Sequence, residues 1–111
     1  MGKMEREKGA RAERAFASIC RDNGYDVHRT AQYCGKTGDA ADVVGLPGIH
    51  VECKHVERLN LRDAMAQAVR DSGKSGRLPI VAHKKNRAGW LVTMRVEDWF
   101  ELYRKWEAGH E

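Results

Sequence analysis

Residues 42–54 read DVVGLPGIHVECK, and this stretch is the most informative part of the chain. Two apolar runs typical of buried β-strands flank a Leu-Pro-Gly segment, and Pro-Gly is favoured at the central positions of a type II turn. The stretch therefore predicts a hairpin. It carries Asp42 on its first strand and Glu52 and Lys54 on its second, so three charged side chains lie among residues that favour burial.

Side chains on a strand alternate between its two faces, so His50, Glu52 and Lys54 share one face of the second strand. The apolar side chains between them share the other face, where Cys53 is expected to be inert packing. An isolated Glu-x-Lys pattern is common, and the alternative is a surface ion pair worth under ~1 kcal/mol. Asp42 favours a functional site, because a carboxylate inside an apolar run is costly unless something compensates its charge.

A divalent metal centre is the chemistry that these groups suggest. Mg²⁺ binds carboxylate, carbonyl and water oxygens, and it usually takes only one or two protein carboxylates. Asp42, Glu52 and the backbone carbonyl of Cys53 can supply that set. The metal would activate a bound water, and Lys54 would orient that water or hold a phosphate oxygen.

The hairpin register decides whether the two acids meet. A strict two-residue turn pairs Val43 with Glu52 and places Asp42 opposite Cys53, on the wrong face. A three-residue loop or a bulge pairs Asp42 with Glu52 directly. We therefore predict such an irregularity.

Two further polar residues are candidates for the site. Glu13 lies on or near the apolar face of the first predicted helix, where it can reach the metal through water. A surface ion pair with Arg6 or Lys8 is the alternative. Gln67 lies at the margin of the second helix's apolar face and can reach the substrate or the lysine, although a surface or capping role is also consistent with its position.

Hydrophobic periodicity predicts an α/β fold with a mixed central sheet of about five strands flanked by helices. The length of 111 residues suits a single domain spanning residues 1–111. The predicted helices cover residues 4–21, 61–72 and 96–106, and the predicted strands cover residues 25–29, 40–45, 49–55, 78–83 and 90–94.

Composition indicates a soluble, basic protein. Twenty Lys and Arg against sixteen Asp and Glu give a net charge of +4. Basic clusters can neutralise backbone phosphates, although they also serve solubility alone. The predicted DNA contacts are Lys8, Arg11, Lys36, His83, Lys84 and Lys85.

The cysteines and the hydropathy of the chain indicate the cellular compartment in which we expect the protein. Three widely spaced cysteines without a Cys-x-x-Cys unit suggest neither a disulfide framework nor a structural zinc site. We find no apolar run long enough for a membrane span and no signal-peptide pattern, so we expect a cytoplasmic protein without a membrane partner.

The last predicted helix carries an aromatic stripe formed by Trp99, Phe100, Tyr103 and Trp106. Such a stripe at helical spacing is more often core than a base-stacking platform. We interpret it as core, and a dimer contact for part of it is the other alternative.

Glu13, Asp42 and Glu52-Cys53-Lys54, on helix, strand and strand, resemble the PD-(D/E)XK nuclease superfamily. The small size is similar to its Holliday junction resolvase-like members from archaea and phages. The resemblance implies a restriction-endonuclease-like core, with Asp42 and Glu52 as metal ligands, Lys54 as catalytic lysine and Glu13 as accessory acid. Gln67 matches a second-helix position that is polar in many members.

Two positions qualify that resemblance. Ala41 stands where the nominal motif has proline, and Asp39 is a nearby acid that can take the place of Asp42. We favour Asp42 because it fits the strand and the ten-residue step to Glu52.

The function implied by the resemblance is a DNA endonuclease that uses Mg²⁺, for which Mn²⁺ can substitute, and that prefers branched DNA. A restriction, repair or nicking activity on duplex DNA is the enzyme alternative. A catalytically silent nucleic-acid-binding module is the alternative from another class. We expect a homodimer, because cutting two strands requires two active sites.

Overall fold

The computed structural model describes residues 3–30 and 41–110. Helices and strands alternate along these ranges much as the sequence predicts. In chain order they are α1 Lys3–Asp22, β1 His28–Arg29, β2 Val43–Val44, β3 Ile49–His55, α2 Leu61–Ser72, a short 3-10 turn Gly73–Ser75, β4 Leu78–Lys84, β5 Leu91–Met94 and α3 Val96–Ala108.

The strands form one mixed sheet in the order β1-β2-β3-β4-β5. Strands β3 and β4 run parallel, and every other neighbouring pair is antiparallel. Parallel neighbours need a long crossover connection, and α2 provides it. The α/β prediction with about five strands is therefore confirmed.

The two faces of β3 meet different helices. Val51 and Cys53 belong to the buried cluster that α1 covers, together with Phe16 and Ala17. Glu52 is the register partner of Val81, which packs against α2 in a second, smaller cluster. The predicted alternation along β3 is confirmed, and Cys53 is a buried side chain on the α1 face. Burial raises the pKa of its thiol, which fits inert packing.

The first two strands are shorter than predicted. The Val27 N–H donates to the Tyr25 carbonyl at 2.9 Å, so this tight local turn keeps residues 25–27 out of the ladder. In the next strand, ladder pairing begins only at Val43. Residues 31–40, which include Lys36 and the alternative acid Asp39, lie outside the described residues.

The aromatic stripe is not core, and the prediction that it is buried is wrong. Its four side chains are 39–56% exposed. Helix α3 begins two residues after β5 ends and directs this face away from the sheet, whose two faces are covered mainly by α1 and α2. An apolar helix face predicts that something covers it but does not identify the cover.

The hairpin turn fits the predicted type II geometry. The Ile49 N–H donates to the Leu46 carbonyl at 3.2 Å, and Gly48 has a φ of +78°. Gly45, just before the turn, has a φ of +112°, and a Cβ there would lie 2.1 Å from the Asp26 carbonyl oxygen. The backbone of Asp26 therefore packs directly against Gly45.

This contact predicts that Gly45→Ala destabilises the protein by about 3 kcal/mol or more, because backbone strain and overpacking each cost about 1–3 kcal/mol. Gly48→Ala is the matched control: it also has positive φ, but its Cβ would meet open space, so we expect about 1–2 kcal/mol. Urea unfolding of both variants measures the difference. Equal losses would show that the Asp26 contact is unimportant.

Within the described residues, we find no helix with the length and apolar character needed to cross a membrane.

Candidate active site

The hairpin register brings the two acids together. Val43 pairs with Val51, which places Asp42 opposite Glu52 and not opposite Cys53. The predicted departure from a strict two-residue turn is therefore confirmed. Asp42 and Glu52 also share a hydrogen bond between their carboxyl groups, in which Glu52 donates.

Hydrogen bonds with neighbouring backbone groups fix Asp42 immediately before β2. The Cys53 N–H donates to Asp42 Oδ2 at 2.8 Å, so the carboxylate serves a backbone group of the neighbouring strand. The Asp42 N–H donates to the Val51 carbonyl at 2.9 Å, and its own carbonyl accepts from Thr30 N–H at 3.1 Å. Bonds on both sides leave the Asp42 carboxylate little freedom to turn away from Glu52.

Burial dominates the electrostatics of this acid pair. Glu52 is 1% exposed, and burial, followed by the negative charge of Asp42, raises its pKa to about 9. Burial likewise raises the pKa of Asp42, although the hydrogen bond from Cys53 N–H opposes that effect. Two desolvated carboxyl groups this close do not both ionise readily. A cation between them would remove that obstacle.

Lys54 lies two residues beyond Glu52 on the same face of β3. Its Nζ donates to Gln67 Oε1 at 3.3 Å, so α2 brings Gln67 to the lysine as one of the sequence interpretations expects. A cavity of about 470 Å³ opens beside these two side chains, and Asn60, Asp63 and Arg70 also line it. The Lys54 ammonium is thus held at the edge of a space that a substrate can enter.

Glu13 approaches the acid pair from α1. Arg29 Nε donates to Glu13 Oε1 at 2.9 Å, and both side chains are about one-fifth exposed. Burial raises the pKa of Glu13, and the charge of Asp42 acts in the same direction. Among the described residues, Glu13 therefore forms its ion pair with Arg29 on β1. Glu13 is also close enough to Asp42 for the two charges to interact.

Two residues of this cluster had no role in the sequence predictions. Asp71 of α2 hydrogen-bonds Glu52, and His50 is fully buried with Nε2 3.2 Å from Glu52 Oε1. The four-residue step from Gln67 to Asp71 places both on one face of α2, a signal that is present in the sequence. For His50, strand alternation indicated the shared face, but no pattern indicated its complete burial.

The donor set suits a hard divalent cation. Among the described residues, no group of three or more His, Cys, Asp or Glu side chains is arranged to hold a metal ion. Asp42 and Glu52 nevertheless provide two facing carboxyl groups, which is as many as Mg²⁺ usually takes from a protein. The Cys53 sulfur lies on the opposite face of β3, so this thiol does not face the pair, and the ring nitrogen placed beside it is His50 Nε2, 3.2 Å from Glu52 Oε1. The residues therefore fit Mg²⁺ or Mn²⁺.

The predicted DNA contacts fall in two places. His83 and Lys84 are the register partners of Lys54 and His55, so the basic end of β4 lies beside the lysine of the site. His83 is half-buried, with Nε2 2.9 Å from Thr93 Oγ1, while Lys85 is exposed. Lys8 and Arg11 lie on α1, and Lys36 is outside the described residues.

Comparison with known proteins agrees with this arrangement. The family model described as "Phage putative PDDEXK endonuclease" matches residues 4–110. The structure resembles Hjc of Archaeoglobus fulgidus, a Holliday junction resolvase from an archaeal hyperthermophile, with a TM-score of 0.59 and 26% identity. The match covers 78% of this chain and 72% of that chain. None of the curated protein sequences matches. The chain therefore belongs to this phage family of PD-(D/E)XK endonucleases, and its fold is that of a resolvase-like nuclease.

Proposed function

We propose that this chain is a Mg²⁺-dependent DNA endonuclease that hydrolyses phosphodiester bonds at the Asp42–Glu52 site and selects branched DNA. The observation that carries the proposal is the register that makes Asp42 face Glu52, with Lys54 next on the same face. A buried acid pair beside a lysine matches the needs of metal-assisted hydrolysis.

The residues that the sequence predicts for the site each have a role in this proposal. Asp42 and Glu52, with the carbonyl of Cys53, would hold the metal. When bound, the metal activates a water and offsets the negative charge that develops on the phosphate. Lys54 orients the attacking water or holds a phosphate oxygen, and Gln67 positions the Lys54 ammonium. Glu13 is the accessory acid.

Selection of branched DNA is supported by the similarity to Hjc, which is itself a Holliday junction resolvase. We propose a homodimer for the same substrate, because a pair of cuts in one junction requires two active sites. Cleavage of linear duplex, as in a restriction, repair or nicking enzyme, is the competing enzyme function. A silent binding module is disfavoured, because selection for binding alone does not account for two buried acids beside a lysine.

Cleavage of labelled four-way junction, flap and linear duplex DNA, with Mg²⁺ or with EDTA, tests the proposal. We expect the junction to be cut fastest and only in the presence of the metal. Equal cutting of linear duplex would favour the restriction or repair alternative. Binding of the junction without cleavage in any divalent cation would favour the silent module.

The basic end of β4 leads to a separate prediction for DNA affinity. Lys84→Ala and Lys85→Ala should each weaken junction binding and lower the slope of log affinity against log salt by about 1, because each contact with a phosphate releases about one counterion. Lys105→Ala is the control, since that side chain is exposed on α3 beside Glu101. Fluorescence anisotropy in EDTA measures binding without cleavage. An unchanged slope in both β4 variants would place the DNA elsewhere.

A further inference from the structure

His50 lies on the face of β3 that carries Glu52 and Lys54, two residues before Glu52. Its side chain is fully buried, and its Nε2 is 3.2 Å from Glu52 Oε1. Glu52 is 1% exposed, so the imidazole and the carboxyl group contact each other with water excluded from both. The two side chains therefore form a buried polar pair within the candidate active site.

Packing alone does not account for an imidazole at this position. Burying a polar side chain costs desolvation free energy, whereas an apolar side chain of similar volume gains from burial. Neighbouring buried positions of the sheet are apolar, as Val51 on β3 and Val81 on β4 show. The polar group of His50 is therefore explained by its contact with Glu52.

We propose that His50 is a positioning residue, which donates its Nε2–H to Glu52 Oε1 and so directs the other carboxyl oxygen of Glu52 toward Asp42. This inference rests on the proposed function, because it treats Glu52 as a metal ligand. It gives His50 no chemical step of its own. Ligand side chains are oriented by hydrogen bonds from residues behind them, and loss of such a partner typically costs about 10–100-fold in metal affinity or activity.

The hydrogen bonds of the acid pair fit this role. Glu52 donates to Asp42, so one proton is shared between the two carboxyl groups. A bond from His50 Nε2–H to Glu52 Oε1 is compatible with that proton, because a protonated carboxyl group both donates and accepts. Replacing the proton by a cation leaves Oε1 an acceptor, so the bond from His50 needs no rearrangement.

Asp71 is less suited to this role, although it also hydrogen-bonds Glu52. Burial is the main reason that the pKa of Glu52 is raised, and the bond with Asp71 acts in the same direction, so it favours the protonated form of Glu52. Once Glu52 is ionised, the two carboxylates lose that bond and repel each other. The imidazole N–H of His50 can donate to both forms of Glu52.

Binding of Mn²⁺ to the full chain without DNA, followed by electron paramagnetic resonance, tests the inference without a cleavage assay. We expect His50→Leu, which has a similar volume but no donor, to raise the Mn²⁺ dissociation constant at least ~10-fold. His50→Gln should stay close to wild type, because its amide can donate from nearly the same place as Nε2. Ile80→Val is the control, since it removes a buried methyl group from the cluster on the α1 face of the sheet.

A shorter amide keeps the test decisive if His50→Leu does not fold. The amide of His50→Asn cannot reach the place of Nε2, so this variant should bind Mn²⁺ more weakly than His50→Gln. Circular dichroism melting identifies the folded variants. Equal Mn²⁺ affinity for His50→Asn and His50→Gln would overturn the inference, because the position of the donor would then be unimportant.

The proposed hydrogen bond also has a spectroscopic signature. Nitrogen-15 NMR of the metal-free protein should show His50 Nε2 as a protonated nitrogen, and Glu52→Gln should shift its signal. Ile80→Val should leave the signal in place, because loss of stability alone does not change this bond. An Nε2 without a proton would overturn the inference, since His50 would then have no donor for Glu52.

The outcomes separate this inference from the proposed function. Mn²⁺ binding by the wild type, with weaker binding by a folded His50→Leu, would support both. Equal binding by the wild type and a folded His50→Leu would overturn the positioning role and leave the metal site intact. A wild type that binds no Mn²⁺ would overturn the proposed function, and the positioning role with it.

Discussion

Glu52→Gln and Lys54→Ala are each expected to lower the single-turnover rate of junction cleavage at least ~100-fold, because the first removes a proposed ligand of the metal and the second removes a cation that stabilises negative charge in the transition state. The two losses should differ in their dependence on metal. Glu52→Gln removes a proposed ligand, so higher Mg²⁺ should recover part of its activity. Lys54→Ala leaves both acids in place, so its rate should saturate at the wild-type Mg²⁺ concentration but at a lower level.

Controls distinguish loss of chemistry from loss of fold. Both variants should bind the junction in EDTA with near wild-type affinity, and Asp22→Asn, an exposed acid at the end of α1, should cut normally. Asp42→Asn should behave like Glu52→Gln, because the two residues face each other. If the single variants Asp42→Asn and Lys54→Ala both cut the junction at the wild-type rate, the proposed active site is rejected.

The stability of the metal-free protein should fall as the pH rises. The pKa of Glu52 is raised from 4.5 to about 9, chiefly by burial and by Asp42. Between these values the folded state retains a proton that the unfolded state has released, so the free energy of unfolding decreases through this window and levels off above it. We therefore expect the melting temperature in EDTA to decrease steadily between pH 6 and pH 9.

Two comparisons isolate the cause of that decrease. Glu52→Gln cannot ionise, so its melting temperature should depend less on pH than that of the wild type. Mg²⁺ must displace the shared proton, so its stabilising effect should be larger near pH 9 than near pH 6. A wild-type melting temperature that does not depend on pH in EDTA, or equal stabilisation by Mg²⁺ at both pH values, would contradict the proposal. In that case the charge of Mg²⁺ would not replace the proton held between Asp42 and Glu52.

The sequence predicted the hairpin because local rules determine it. Alternation with a period of two fixes Glu52 and Lys54 on one face wherever the strand lies, and the structure confirms β3 over Ile49–His55. The register of Asp42 was predicted from the chemical demand that two acids meet, and it is confirmed by the Val43–Val51 pairing. The turn residues by themselves are compatible with both registers, the strict two-residue turn and the three-residue loop or bulge.

The contributions of other elements to the site were less accessible to sequence reasoning. Asp71 reaches Glu52 only because α2 crosses β3 in a particular orientation, which tertiary packing determines. Glu13 pairs with Arg29 through the contact of α1 with β1, whereas sequence spacing suggested nearer partners on α1 itself. The prediction that the aromatic stripe of α3 is core is wrong, because helical periodicity identifies an apolar face but does not say what packs against it.

The central claim is that Asp42 and Glu52 together hold a divalent cation. Anomalous diffraction from crystals soaked in Mn²⁺ tests it most directly. We predict a single strong peak in contact with both carboxylates in the wild type, and its loss in Glu52→Gln crystals that retain the same fold. A peak that avoids either carboxylate, or wild-type crystals without a peak at this site, would contradict the account.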